Sequence, residues 1–331
     1  MKIKILFILS LLAFSLTSFA QETKDISAVY KQKMDALHEA VSSDKAFHLS
    51  LVKNAVVVGP EFDFSTLLKN TDILFLGEFH ADPRTAREVN LIIKSAAGSQ
   101  KTKPTHLASE FLIIEDQPLV DSYEEGKISY EDLKKSLYPV SMAENVLVAA
   151  RYALKSVALD TKYAKDNSGW AISASGITKR NAAWAEIINN IFTLNKNAKV
   201  IVYAGGWHTA YDMGNAKTLP QYFSAENKKY KVLEFMGNCA TDYAWCSLVN
   251  SLELQNKFVL FTIPSKYRKY TNADYIYYIP KHTSSNKEEQ EKTKTFFKQF
   301  KEGQLDKLLK NCQTDPDNPI CKHFNELQKN R

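Results

Sequence analysis

The 331 residues contain no GxSxG turn, no HExxH helix, no phosphate-cradling P-loop and no GxGxxG loop. Those gaps exclude the common layouts of serine hydrolases, zincins, P-loop nucleotide enzymes and dinucleotide-binding proteins. Cysteine is scarce. There are four, none follows Ala20 directly, and none stands in a CxxC pair. A bacterial lipoprotein anchor is therefore not offered, and two disulfides fit better than a zinc site built from all four thiolates. No internal repeat or low-complexity tract is present. Beyond residue 20 no segment approaches the roughly 18 apolar residues of a membrane-spanning helix. At 44% hydrophobic and 24% charged residues, the composition also excludes a disordered tail protein, a collagen-like chain and a small disulfide scaffold.

What is present begins with an address. Residues 1–20 read MKIKILFILSLLAFSLTSFA. Lys2 and Lys4 form a positive start, Ile5 to Leu16 an apolar stretch, and Ser18 and Ala20 the small residues of a cleavage site. This predicts a secretory signal peptide with Gln21 as the new N-terminus; the alternative, a membrane anchor, would need a longer apolar run. The full chain carries a net charge of +6. Losing Lys2 and Lys4 leaves 41 basic and 37 acidic residues, a net +4. That mild excess is interleaved with glutamate and comes without a nucleic-acid-binding motif, so no nucleic-acid partner is expected. Export to a periplasmic or extracellular space suits two local disulfides, Cys239–Cys246 and Cys312–Cys321, among three connectivities that the sequence leaves open.

The mature chain alternates helical and strand patterns. Ile26, Tyr30, Met34, Leu37 and Val41 space an amphipathic helix over 26–45. Short apolar runs predict strands at 72–76, 105–111, 156–160, 199–204, 230–235, 257–263 and 275–279. Helices are expected at 83–96 (with Asp82 as cap and Pro83 at the first position), 115–126, 130–137, 143–155 and 179–194. The order and the apolar strands predict an α/β fold, a three-layer sandwich with a mainly parallel (mixed) sheet. From Lys281 a polar stretch leads into Phe296, Phe297, Phe300, Leu305, Leu308 and Leu309. The expected organisation is a signal peptide at 1–20, an α/β domain with its N-terminal helix at 21–280, and a helical, disulfide-pinned extension at 281–331.

In open α/β sheets, sites form beyond the carboxyl ends of the strands. Four successive strands end in Gly77-Glu78-Phe79-His80, Ser109-Glu110, Leu159-Asp160 and Gly205-Gly206-Trp207-His208. Two histidines and three carboxylates at one edge can bind a divalent metal or move protons. Glu110 interrupts an apolar run, where a carboxylate costs free energy unless it has a partner. Asp160 can instead cap the turn that follows. The remaining histidines, at 38, 48, 106, 282 and 323, have no such setting. With no nucleophile elbow, any hydrolysis would use an activated water.

These motifs resemble the ChaN-like haem-binding proteins, within a superfamily that also holds the Tiki proteases and the erythromycin esterases. The resemblance rests on Gly77-Glu78-Phe79-His80, Ser109-Glu110-Phe111 and Gly206-Trp207-His208. Further support comes from Glu115-Asp116-Gln117-Pro118-Leu119 with Gly126-Lys127-Ile128-Ser129, and from Arg180-Asn181-Ala182-Ala183-Trp184-Ala185. It spans about residues 52–236. It implies an exported protein that binds haem or a metal ion in a cleft at the strand ends, with a role in iron or haem uptake. Glu78, His80, Glu110, Arg180, Trp207 and His208 would line that site, and Glu78, His80, Glu110 and His208 would be the metal ligands. The superfamily equally implies a hydrolase in which His80 or His208 activates water, Glu78 and Glu110 hold metal or orient the base, and Arg180 steadies charge. An aromatic group near the motifs (Phe79, Phe111, Tyr203, Trp207, Tyr211) suits a flat ligand or an ordinary core. A purely structural interaction protein is a third reading, and a homodimer is left open. The chain departs from ChaN in lacking a lipobox cysteine, in carrying Arg84 and Arg87 where many members have histidines, and in its C-terminal extension.

Overall fold

The computed structural model describes residues 26–78, 83–98, 102–137, 140–224 and 228–280. The signal peptide, Asp82, His80, the Cys312–Cys321 pair and the stretch 281–331 lie outside these residues.

Eight strands form one sheet: β1 (Ala55–Val57), β2 (Ile73–Glu78), β3 (His106–Ile113), β4 (Lys155–Asp160), β5 (Val200–Gly205), β6 (Tyr230–Met236), β7 (Val259–Thr262) and β8 (Tyr275–Tyr278). Their order across the sheet is β1-β7-β8-β6-β2-β5-β3-β4. Pairings from β8 to β4 are parallel, while β7 runs antiparallel to both β1 and β8. From β2 the chain moves outward to β3 and β4, returns to β5, then crosses β2 to reach β6. The two directions of travel part at β2, so the carboxyl ends of β2, β5 and β6 form the topological switch point where α/β sheets place ligands.

Helices cover both faces. One core unites α1 (Ile26–Ser43), α2 (Lys45–Lys53), α7 (Ala174–Leu194) and α8 (Tyr243–Ser251) with Phe75, Ala108, Val202 and Val232 of the sheet. The other unites α3 (Pro83–Ala97), α5 (Tyr130–Ser136) and α6 (Val140–Arg151) with Leu74, Leu76, Leu107 and Tyr203. With both faces buried, the central strands are apolar at successive positions rather than alternating. The three-layer, mixed α/β expectation therefore holds, and seven expected strands form within a residue or two of their predicted bounds.

Several elements escape the sequence pattern, among them α8 and the short helices Lys162–Asp166 and Leu219–Ser224. The expected helix over 26–45 stops at Ser43, because the Asp44 side chain accepts from the Phe47 N–H at 2.9 Å and starts α2. This N-cap satisfies an otherwise orphaned donor. Strand β1 has only three residues, two of them exposed, too few for a periodicity to show.

At the opposite rim, β4 is the edge strand, and side chains dress its free backbone. α4 (Gln117–Glu124) supplies both of them. Gln117 donates to the Ser156 carbonyl at 3.0 Å and accepts from the Ala158 N–H at 2.7 Å, while Glu124 accepts from the Ser156 N–H at 2.7 Å. The carboxamide of Gln117 thus stands in for a neighbouring strand.

Cys239 and Cys246 form a disulfide. It brackets Asp242, whose carboxylate accepts from the Gly237 and Asn238 N–H groups at 2.9 and 3.0 Å and from the Tyr30 hydroxyl of α1 at 3.0 Å.

Candidate functional site

Arg180, one turn and a half into α7, is the hub of the carboxyl edge. It is 8% exposed, as is natural for a cation only when its charge is met. Its Nε and Nη2 donate as a fork to the two oxygens of Asp160 at 3.1 and 2.7 Å. Nη2 also donates to Glu110 Oε1 at 2.6 Å. Nη1 donates to the His208 Nε2 at 3.0 Å and to the Ala171 carbonyl at 3.3 Å. All five guanidinium hydrogens have acceptors, so the planar fork is fully engaged. The other Glu110 oxygen accepts from the Gly205 N–H at 2.7 Å, which ties β3 to the end of β5.

Burial works against the charged form of Arg180, but Glu110 and Asp160 outweigh it and hold its pKa above the ordinary arginine range. Burial also pushes Asp160 up, against the pull of Arg180. The indole of Trp184, one turn along α7, lies under the cation, with its ring centroid 4.7 Å from the guanidinium carbon and 4.4 Å from the His208 ring. A cation over an indole face is attracted by the ring quadrupole.

His208 sits on a one-turn helix, Gly206–Thr209, directly after β5 and is 2% exposed. Its protonation pattern follows from the network. The Asn181 amide nitrogen donates to the Lys217 carbonyl at 2.8 Å, which turns its oxygen toward His208 Nδ1 at 2.6 Å. Nδ1 is therefore the donor, and Nε2 accepts from Arg180. Both ring nitrogens are engaged within the protein.

Glu78 belongs to a different place. Along β2, Ile73 and Phe75 join the α7-side core, whereas Leu74 and Leu76 join the α3-side core. Glu78 continues the Leu74–Leu76 alternation, and Glu110 continues that of Ala108 on the α7 side. Accordingly the Tyr203 hydroxyl, on the α3 side, donates to Glu78 Oε2 at 2.5 Å. The Phe111 and Tyr203 rings lie 4.8 Å apart beside it. Among the described residues, Glu110, Asp160, Arg180 and His208 meet on one face, and Glu78 meets Tyr203 on the other. Trp207 is partly buried against the small apolar cluster that holds Ile26, Ile177 and Met213, and Arg84 donates to the Pro280 carbonyl at 2.9 Å.

Of the expected metal ligands Glu78, His80, Glu110 and His208, His80 lies outside the described residues. Among the described residues, no three His, Cys, Asp or Glu side chains converge to hold an ion. The physical reason is the guanidinium, which already fills the position between Glu110, Asp160 and His208 that a cation would take. An iron-bound haem fares similarly at His208, whose nitrogens both have partners. Asn181 belongs to the quoted Arg180-Asn181 motif without a role of its own, and Glu234 lies outside every motif. Asn181 is the residue after Arg180, and Glu234 interrupts the apolar run of β6 as Glu110 interrupts β3.

No curated protein sequence matches this chain. Among solved structures, ChaN of Campylobacter jejuni, described with cofacially bound haem, is similar at 18% identity and a TM-score of 0.38 over 54% of this chain and 86% of that one. The type III effector HopBA1 is similar at 16% identity and a TM-score of 0.37 over 56% of this chain and 87% of that one. RRSP, a MARTX toxin effector domain from Vibrio vulnificus, is similar at 19% identity and a TM-score of 0.40 over 65% of this chain and 41% of that one. Residues 65–165 match the family described as haem-binding uptake, Tiki superfamily, ChaN. That stretch carries Glu78, Glu110 and Asp160, while Arg180 and His208 lie beyond it. Over these residues the ChaN-like resemblance read from the motifs is borne out by the match to that family.

Proposed function

We propose that this protein is an exported haem-binding protein of the ChaN kind, serving iron or haem uptake, with its ligand held at the carboxyl edge of the sheet. The observation that carries the reading is the family match across β2, β3 and β4, the strands that deliver Glu78, Glu110 and Asp160 to that edge. The disulfide Cys239–Cys246 supports export to an oxidising compartment. No helix among the described residues is long and apolar enough to cross a membrane.

In this reading the Arg180 centre is a scaffold. It fixes the ends of β3, β4 and β5 and the turn of His208 beneath the ligand, while His80, beside Glu78 in sequence, is the residue proposed to meet the iron. Bound haem would supply the iron chemistry, and the chain's part is to seat and orient it. Titrating purified protein with haemin and following the Soret band tests this. A saturable red shift at micromolar haemin, lost in His80→Ala, is expected. An unchanged band at that concentration overturns it.

One observation favours a second reading, a hydrolase that activates water. An arginine, two carboxylates and a histidine are pre-organised at the carboxyl ends of β3, β4 and β5, and such arrangements serve acid–base chemistry as well as structure. Here Glu78 or His80 would take the proton, and His208 would act only after releasing Arg180. Ester and peptide substrates, with and without a chelator, test it. Activity that survives both His80→Ala and His208→Ala removes those histidines from the assignment.

A further inference from the structure

A second buried carboxyl lies on the α7 side of the sheet, outside the network of Arg180. Glu234 stands in the run Val232-Leu233-Glu234-Phe235-Met236 of β6 and is 6% exposed. It pairs in register with Gly77 of β2. A Cβ on Gly77 would fall 2.2 Å from Glu234 Oε2, and a Cβ on Gly206 would fall 2.6 Å from the same oxygen. The carboxyl fills the space that two absent side chains leave. Gly206 opens the one-turn helix that carries His208, and Thr209 closes it. The Thr209 hydroxyl donates to Glu234 Oε1 at 2.8 Å.

The turn is therefore gripped on two sides. Glu110 holds the Gly205 N–H and Asn181 holds His208 Nδ1 on one side, and Glu234 holds Thr209 and abuts Gly206 on the other. The charged and titratable groups that bear on Glu234 are few. Asp242 approaches from the loop before α8, and the Tyr30 hydroxyl of α1 donates to Asp242. Burial pushes Glu234 up to about 8, against the Thr209 bond and with the help of Asp242.

We propose that Glu234 is a positioning residue for His208: seated where Gly77 and Gly206 have no side chains, it anchors Thr209 and so holds the His208 ring on Arg180 and Asn181. The inference rests on the reading that His208 belongs to the functional edge, but its test reads the His208 ring itself and needs neither haem nor a substrate.

The experiment is 15N and 1H NMR of the full chain labelled at histidine, with the His208 ring signals identified by their loss in His208→Gln. In the unaltered protein, His208 should show a protected Nδ1–H and a single fixed tautomer. Glu234→Gln keeps the shape and an acceptor for Thr209, and should preserve that signature. Glu234→Ala, and separately Thr209→Val, which removes the hydroxyl that links to Glu234 at 2.8 Å and lies 3.4 Å from the Gly206 carbonyl, should speed Nδ1–H exchange at least about tenfold, as local opening of the turn requires. If Thr209→Val folds and leaves the His208 exchange rate and tautomer unchanged, Glu234 is only core filling and the proposal is overturned. It is equally overturned if Glu234→Ala lowers the melting temperature without altering the His208 signals. A failed haemin titration would leave these ring signals untouched, so the two readings fail separately.

Discussion

Glu110 and Glu234 occupy equivalent places in the sequence pattern, each a single carboxyl inside an apolar strand, yet the protein resolves them in opposite ways. Glu110 meets a guanidinium at 2.6 Å and a backbone N–H at 2.7 Å, so both its oxygens accept from donors. Glu234 meets one hydroxyl and a carboxylate neighbour, and burial pushes it up to about 8. One site is built for a charge and the other for a proton. The lesson is that burial alone does not define a carboxyl's role; the donors around it do.

The largest effect that separates them is expected from the cation. Arg180→Met should strand Glu110 and Asp160 without their partner, at a cost of about 3–5 kcal/mol, because one member of a buried ion cluster is removed. Denaturant unfolding at pH 7 reads this as a lower midpoint. A loss under about 1 kcal/mol would show that the cluster rearranges freely and would break the comparison.

Next comes the same substitution at the two sites. Glu110→Gln introduces an amide N–H₂ opposite Arg180 or Gly205, both donors, and should cost about 1–3 kcal/mol. Glu234→Gln replaces a protonated acid by a neutral amide of the same shape; it should be close to neutral near pH 4.5 and stabilising near pH 7, where the unfolded chain's carboxyl is ionised. Equal losses at both sites would sink the distinction.

The pH dependence sharpens it further. Glu234 ordinarily titrates at 4.5 and is raised to about 8 in the fold. Between these values the folded protein holds a proton that the unfolded chain has released. Stability contributed by this group is therefore full below 4.5 and falls as pH rises toward 8. Asp160 and Asp242 are raised as well, so the informative quantity is the difference between proteins. The stability of Glu234→Gln relative to the unaltered chain should grow steadily from about pH 5 to about pH 8 in thermal melts. A flat difference means that Glu234 is ionised throughout.

The smallest expected change is at Asn181. Asn181→Ala removes the acceptor of His208 Nδ1–H, at about 1–2 kcal/mol for a buried neutral donor. Its signature is loss of the fixed His208 tautomer while the Arg180–Asp160 fork persists, visible in the same ring spectra.

Much of this arrangement is readable in the chain. Apolar runs ending in Glu or His locate β2, β3 and β5, and Glu110 stands out because an unpaired carboxylate in such a run is costly. The sides are not readable. In strands buried on both faces, Leu76, Gly77 and Glu78 offer no alternation, and only the pairing with β5 shows that Glu78 joins Tyr203 rather than Arg180. Glu234 carries the same signal as Glu110, but β6 comes after the motif-bearing segments and no Glu-His turn follows it to draw attention. Asn181 stands in a legible motif, but its role is not readable because it depends on Lys217, 36 residues away in the chain. The pairing of Cys239 with Cys246 is foreseeable from their closeness.

The dressed rim of β4 bears on how copies of this chain can associate. Gln117 and Glu124 occupy the hydrogen-bonding groups through which a second sheet would continue the first. At the far rim, β1 offers only three residues. Joining two sheets end to end into a longer ribbon is closed at one border and scarcely supported at the other. Among the described residues, the eight-stranded sheet is a finite object.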